Sequence, residues 1–454
     1  MDKHTLTDLN IPNYLLEICP DENIVKDVVA DMQNMLQCPQ AITQRQRELA
    51  DFINNPELLG ILVRQIRQLD DLKEQHRAER LAAAKSRVQS AQRPPKEQLG
   101  PIISSLAVAM KQVKDSVRLY SDLPVFFRDF AFASDLFLGF KESLLKIIDS
   151  KTQERLNAIA TDIERLHSAG PRHQARILIN YTMDEKLDKL QFKLSQLTFD
   201  SSPKDAERRV FFFKSESILN ILRSGSKQKG EEFEIAENFF SYSLVIGLTH
   251  LMDLLSQFAL NLQRPFEAIN KKLSLYKFGA ALAARHKVQG TAYCFPEILP
   301  AGVDTGTVPC LLRTMEDKEP SPCPGATGKL TVRFGGDGND YFDFVQEQAI
   351  LQLYAQSGYP IAGESARVAV VTGLFAQFPS NELMLGRFEE EVREMAALVK
   401  QIKPHGMVIF HEVFQSTAYE DIAEPFAGIV KNLLDMPCRV LVVTHNNFLM
   451  ELLR

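Results

Sequence analysis

Three short apolar runs decide how this chain is read: VAVVT at 368–372, MVIFH at 407–411 and RVLVVT at 439–444. Each is a near-continuous row of β-branched and apolar residues. Strands buried on both faces of a parallel sheet carry that pattern. Between the last two lies 422–434, and between the first two lies 387–402. In the latter, Phe388, Val392, Met395, Val399 and Ile402 recur at helical spacing, which predicts one apolar face. The order strand, helix, strand, helix, strand predicts an open α/β sheet.

Upstream the pattern differs. Residues 1 to about 285 read as mostly helical, with apolar residues near helical spacing over 44–69 and amphipathic stretches at 101–120 and 134–168. Residues 70–92 read as a charged helix, stopped by Pro94 and Pro95. The period changes at RILINYT (176–182), which favours a strand, with 192–197 as its partner. Helical pattern resumes near Glu234 and runs to about Arg285. A small strand-bearing insert between long helices predicts an arm with a tip, at about 141–245. The fold class expected is α plus α/β: a helical core and arm over 1–285, then an α/β domain over 286–454.

Composition narrows the function classes. Hydrophobic residues make up 45% of 454 and charged residues 24%, so a globular chain with more than one core is expected. The net charge of −6 argues against a protein that coats nucleic acid over its whole surface, but not against a local basic patch. The apolar stretches at 125–140 and 239–255 are interrupted by Arg128, Asp129, Asp135, His250 and Asp253. A membrane span needs about 20 nearly uninterrupted apolar residues, so no membrane partner is expected. The opening MDKHTLTDLN has no apolar signal region, which predicts a cytoplasmic location. The six cysteines form no C-x-x-C pair, so reduced thiols are expected rather than a zinc site.

Several segments together resemble the MutS family. The stretch 350–368 (ILQLYAQSGYPIAGESARV) resembles the segment after the P-loop helix in MutS-type ATPases, and 386–396 (GRFEEEVREMA) their signature loop and helix. MVIFHEVFQSTAYED (407–421) is similar to the Walker B strand and its Ser-Thr turn, and RVLVVTHNNFLMEL (439–452) to the strand ending in the switch histidine. CFPEILP (294–300) resembles the start of the ATPase domain in a bacterial MutS-like branch, and 176–194 the β-containing insert of the lever region. The resemblance implies a long-helix core with a lever and clamp arm, followed by a P-loop NTPase-like, ABC-type domain. It also implies a chain without the mismatch-reading domain and shortened at its C-terminal end. The cofactors it implies are ATP and Mg²⁺. The partners it implies are double-stranded DNA and a second subunit, as a homodimer or as a heterodimer with a MutS-like paralogue, in a nucleoid-associated setting.

The residues themselves modify that expectation. A P-loop reads G-x-x-x-x-G-K-[ST]: backbone N–H groups cradle phosphates, the lysine carries charge and the hydroxyl holds Mg²⁺. The matching segment is GGDGNDYF, 335–342. Gly335 keeps the first glycine, and Gly336 and Gly338 lie within the loop. Asp340 stands at the second glycine, Tyr341 at the lysine and Phe342 at the hydroxyl, while Asp337 and Asp340 add negative charge beside anionic phosphates. PGATGKLT (324–331) offers Gly328 and Lys329, but Cys323 and Leu330 break the motif, and the segment precedes its strand instead of coming after it. At Walker B, His411 replaces an acid, and Mg²⁺ prefers hard oxygen ligands. Glu412 matches the catalytic base and His445 the switch histidine, with a plain strand-end carboxylate and a loop histidine as the alternatives. Gly386 stands where the signature serine is usual; Arg387, Ser416 and Thr417 remain as polar groups that could complete a partner's site. DNA-binding candidates on the arm are Arg172, Arg176, Lys204, Arg208, Arg209, Arg223, Lys227 and Lys229, with His173 beside them, suited to sequence-independent phosphate contacts. Glu231, Glu232 and Glu234 dilute that field.

The expectation is a MutS-like DNA-binding protein of mismatch-repair or recombination type, a pseudo-ATPase acting with a partner subunit. Two alternatives stand beside it: an active ATPase with a divergent P-loop, and a non-catalytic interaction scaffold.

Overall fold

The computed structural model describes residues 3–121, 123, 130–169, 175–183, 190–199, 229–303, 309–310, 323–324, 329–334, 338–379 and 387–454. It is mostly helical, with small sheets. The chain divides into two compact units. One comprises Met1–Leu59, Ala131–Phe137 and Lys271–Arg454; the other comprises Gly60–Phe130 and Leu138–Asn270. The division cuts across the boundary near 285 that sequence character suggests.

The N-terminal helices are α1 (Lys3–Asp8), α2 (Ile11–Ile18), α3 (Glu22–Gln33), α4 (Pro39–Asn54), α5 (Pro56–Ser90) and α6 (Pro95–Ser121). They are followed by α7 (Asp135–Ile148) and α8 (Ser150–Ala169). The strands β1 (Ala175–Met183) and β2 (Leu190–Phe199) pair antiparallel, with a register shift between Leu178 and Ile179. Then come α9 (Lys229–Asn270) and α10 (Leu273–Val288).

In the second unit α6 and α9 pack along their length. Leu248, Leu251, Leu255, Phe258, Leu262 and Phe266 of α9 are buried, at the three- and four-residue spacing that makes one helical face. Tyr120 closes the contact: its hydroxyl donates to the Leu262 carbonyl at 2.7 Å, and its ring stacks with Phe140 and meets Phe266 edge-on. One segment of α9, Val245–Asn270, is long and apolar enough to cross a membrane by length and composition. This corrects the sequence expectation, which rests on the more interrupted window ending at residue 255. Less than half of that window is buried, at 44%: Leu251, Leu255, Phe258 and Leu262 are buried, while Ile246 and Leu260 are exposed.

In the first unit, Asp51 of α4 is buried and accepts from the Ala133 N–H at 2.6 Å, the Ser134 N–H at 3.0 Å and the Ser134 hydroxyl at 2.6 Å. The same hydroxyl caps α7 through the Phe137 N–H at 3.3 Å. Glu48, also buried, takes Lys272 at 2.9 Å and the Tyr276 hydroxyl at 2.7 Å. Two buried carboxylates are thus fully answered, as burial of charge requires.

The strands of this unit are β3 (Tyr293–Cys294), β4 (Glu297–Leu299), β5 (Pro309–Cys310), β6 (Cys323–Pro324) and β7 (Leu330–Phe334). After α11 (Gly338–Gln356) come β8 (Ile361–Ala362), β9 (Arg367–Ala369) and β10 (Leu374–Gln377). The chain continues through α12 (Arg387–Gln401), β11 (Met407–His411), α13 (Tyr419–Asp435), β12 (Arg439–Thr444) and α14 (Asn447–Leu453). The main sheet is parallel, in the order β10-β11-β12-β7. From β7 the chain crosses to the far edge at β10, then steps back inward through β11 and β12. All carboxyl ends therefore lie on one side, where open α/β sheets place their ligands. Val408, Phe410, Val440 and Val442, at alternate positions, form one core cluster with Met395 of α12 and Ala423, Phe426, Val430 and Leu433 of α13.

Two further expectations need correction. VAVVT is buried but is not a strand of the main sheet: β9 covers only 367–369 and pairs with β4. The main-sheet strand is LFAQ, two residues beyond the run. An apolar run reports burial on both faces; it does not name the ladder that the strand joins. The face predicted for α12 is met in its second half, where Met395 and Ile402 are buried and Val399 packs against the core, but not in its first turns. Phe388 and Val392 are exposed, while Glu391 and Met395 are buried. Glu391, between the two exposed residues and Met395, is buried and accepts a hydrogen bond from the Ser416 hydroxyl.

Candidate functional site

The candidate site lies at the carboxyl ends of β11 and β12. Beyond His411 the backbone leaves the strand through a tight turn in which Glu412 (φ 48°) and Phe414 (φ 62°) take the left-handed conformation without being glycine. Such residues cost about 1–3 kcal/mol each and persist only where surroundings hold them. Here the Glu412 N–H donates to the Val443 carbonyl at 2.9 Å, and Phe414 is buried against Phe426.

The turn sets the Glu412 carboxylate, 8% exposed, across the end of the neighbouring strand. His445 Nδ1 lies 2.6 Å from Glu412 Oε1, and Gln415 Nε2 reaches Oε2 at 3.5 Å. Since a carboxylate accepts, His445 holds its proton on Nδ1. The segment after His445 is fixed too. Asn446 caps α14 through the Leu449 N–H at 3.0 Å, takes its own N–H to the Thr444 hydroxyl at 3.0 Å, and donates its amide to the Tyr419 carbonyl at 2.9 Å. Glu412 and His445 are thus brought together as a strap between two parallel strands.

Beside the strap is an aromatic cluster. Phe342, near the start of α11, Phe378, just after β10, and His411, the last residue of β11, pack ring to ring. Centroid distances are 5.7 Å for Phe342–Phe378, 6.3 Å for Phe342–His411 and 5.3 Å for Phe378–His411. Both His411 ring nitrogens are buried with no hydrogen-bond partner among the described residues. Burial pushes the His411 pKa below the usual histidine value, against the pull of Glu412, so the ring is neutral.

These residues do not fit Mg²⁺. The ion takes oxygen ligands in near-octahedral geometry and keeps several waters. Phe342 and Phe378 offer none, and His411 offers a neutral imidazole wedged between phenyl rings. Among the described residues no group of three or more His, Cys, Asp or Glu side chains is placed to hold a metal ion.

The remaining predicted residues separate into three groups. Ser416 is placed: its hydroxyl donates to Glu391 Oε2 of α12 at 2.6 Å, tying the turn after β11 to the helix after the signature-like segment. Thr417 is half-buried beside it. Gly338 and Tyr341 lie in the first turn of α11, Arg387 opens α12, Arg176 lies in β1 and Lys229 opens α9; the side chains of Tyr341, Arg387, Arg176 and Lys229 are outside the described set. Gly335, Gly336, Gly386, Arg172, Lys204, Arg208, Arg209, Arg223 and Lys227 lie outside the described residues altogether. Lys329 of the decoy motif precedes β7, and its carbonyl accepts from the Val440 N–H at 2.7 Å, as part of the ladder. Sequence reasoning misses Phe378, Gln415 and Glu391. Phe378 carries one signal, an aromatic directly after a strand at the sheet's carboxyl end.

No protein-family model matches the chain. Comparison with curated proteins finds relatives named DNA mismatch repair protein MutS. That of Ruegeria pomeroyi is 32% identical over 106 residues, 22% of this chain and 12% of the relative. That of Caulobacter sp. (strain K31) is 35% identical over 106 residues, again 22% and 12%. That of Rhodopseudomonas palustris is 29% identical over 133 residues, 28% of this chain and 14% of the relative. The matches thus span only a small part of those proteins. Across that part of its length, the chain is related to the MutS family.

Proposed function

We propose that this chain is a MutS-type DNA-binding protein of mismatch repair or recombination, and that its ATPase-like part is a pseudo-ATPase. The observation that carries the reading is the Phe342–Phe378–His411 cluster: rings pack together where the Mg²⁺-holding hydroxyl and acid of a P-loop ATPase would stand. Three further features support it. The strand β7 runs into a Gly-rich segment and then α11, the P-loop context without its lysine. Glu412, the matching base, is bonded to His445. The curated relatives are named for DNA mismatch repair.

Hydrogen bonds to charged groups contribute about 1.5–3 kcal/mol each. Losing the lysine and metal contacts therefore removes about 4 kcal/mol, enough to take micromolar affinity to millimolar. Titrating the protein with a fluorescent ATP analogue and Mg²⁺ up to millimolar concentration tests this. No saturable binding is expected. Micromolar, Mg²⁺-dependent binding would overturn it and favour the divergent-loop ATPase.

The protein acts with a second subunit, another copy or a MutS-like paralogue, in the cytoplasm on nucleoid DNA. Arg387, Ser416 and Thr417 are the groups that would face the partner's nucleotide. The arm supplies phosphate contacts, so duplex binding should weaken with salt and on replacing Arg208 and Arg209. Salt-independent binding, or none, would leave the scaffold reading in its place.

A further inference from the structure

A cleft of about 230 Å³ lies between α6 and α8, within the second compact unit. Its floor is apolar and buried, with Val113 and Val117 from α6 and Leu156 from α8. Its rim is polar: Lys114, Arg118 and Ser121 from α6, Gln153 and Asn157 from α8. Every rim side chain can donate a hydrogen bond, and no carboxylate lines the cleft.

The charges are placed for an anion. Lys114 and Arg118 stand one helical turn apart, where like charges repel each other. An anion held between them turns that repulsion into attraction. The Arg118 side chain has no ion-pair partner among the described residues. Lys114 pairs with Glu164 of α8 at 2.9 Å, but both side chains are exposed, and such a pair contributes little to stability. A phosphate can therefore take its place. Gln153 spends one N–H on the Ile147 carbonyl at 2.7 Å and keeps the other.

We propose that this cleft seats a phosphate of the DNA backbone, a reading that rests on the DNA-binding function proposed above. Arginine, lysine, serine, asparagine and glutamine are the side chains that hold DNA phosphates, and the rim is made of these five. The guanidinium of Arg118 matches two phosphate oxygens at once. The apolar floor lies against the sugar carbons beside the phosphate. Size favours the backbone over a free nucleotide: small-molecule pockets enclose about 300–1,000 Å³, more than this cleft offers. The contact reads no sequence, and it is separate from the basic residues of the arm between 172 and 229.

The test uses the full chain and a fluorescein-labelled duplex, with binding followed by anisotropy across a series of salt concentrations. Arg118→Gln should weaken binding on the order of tenfold, alike on two unrelated sequences, and lower the salt slope by about one. Arg118→Lys should restore most of the slope. Asn157→Glu places a carboxylate on the rim and should also weaken binding. Two controls carry the same charge changes on exposed positions of α13 in the other unit, Lys431→Gln and Asn432→Glu, and should bind as the wild type does. Both cleft substitutions are at exposed positions, so the melting temperature should stay unchanged. Wild-type affinity and slope in Arg118→Gln and Asn157→Glu would overturn the cleft and leave the DNA-binding reading standing. Equal losses in the cleft variants and the controls would overturn it too, because the effect would then be one of net charge. A wild-type chain that binds no duplex at low salt would remove the DNA-binding reading and the cleft with it.

Discussion

If Glu412 is a strap and not a poised base, then Glu412→Ala and His445→Ala must be coupled in stability. The contact is 2.6 Å, the carboxylate is buried, and the His445 side chain is 43% exposed. Hydrogen bonds to charged groups contribute about 1.5–3 kcal/mol, and water competing at the exposed imidazole lowers that towards about 1–2 kcal/mol. Glu412 has a left-handed backbone, and both proteins that carry alanine at 412 bear the same strain there, so it cancels in the cycle. The chain has two compact units, and a single unfolding free energy is not defined for such a protein. Calorimetry is therefore the assay, tracking the transition that moves in the single variants. For a unit of this size, 1 kcal/mol corresponds to about 2–4 °C, so the coupling should appear as about 2–8 °C beyond additivity. ATP turnover should be equally absent from all four proteins. Additivity within about 0.5 kcal/mol would refute the strap. So would turnover in the wild type that Glu412→Gln abolishes.

Two other buried groups give outcomes of their own. Asp51→Ala strands three donors at Ala133 and Ser134 and should cost about 3–4 kcal/mol, measured by melting; a loss under about 1 kcal/mol would mean water satisfies them. His286 is buried, and burial lowers its pKa to about 4. The unfolded chain then binds more protons than the folded one between about pH 6.5 and 4, so stability is full above that window and falls as pH drops through it, by up to about 3 kcal/mol. His286→Gln should flatten the melting temperature over that range, and an unchanged slope would contradict the burial argument.

Much of the α/β part is legible in the residues. MVIFH and RVLVVT are strands with the bounds that their apolar runs suggest, because each is flanked by residues that end it. VAVVT misleads because burial does not specify a ladder, and the apolar face of α12 is legible from Met395 to Ile402 but not at Phe388 and Val392, where the buried Glu391 bonds Ser416. At the site, the replacements at 342 and 411 can be read singly. Their packing against each other through Phe378 cannot, since three segments distant in sequence meet there and no local pattern encodes the meeting.

The first unit is assembled from residues 1–59, 131–137 and 271–454. Gln46 donates to the Pro296 carbonyl and Glu48 binds Lys272, partners more than two hundred residues away. During synthesis at about 5–20 residues per second, the N-terminal helices would wait roughly ten to fifty seconds for those partners. Residues 60–270 emerge first and can complete their own unit meanwhile. For that interval Phe52 has Phe137 but not Tyr276 to pack against, and Leu49 lacks the α10 backbone at Gly279, which leaves apolar surface of the newborn N-terminus open to a chaperone on the ribosome.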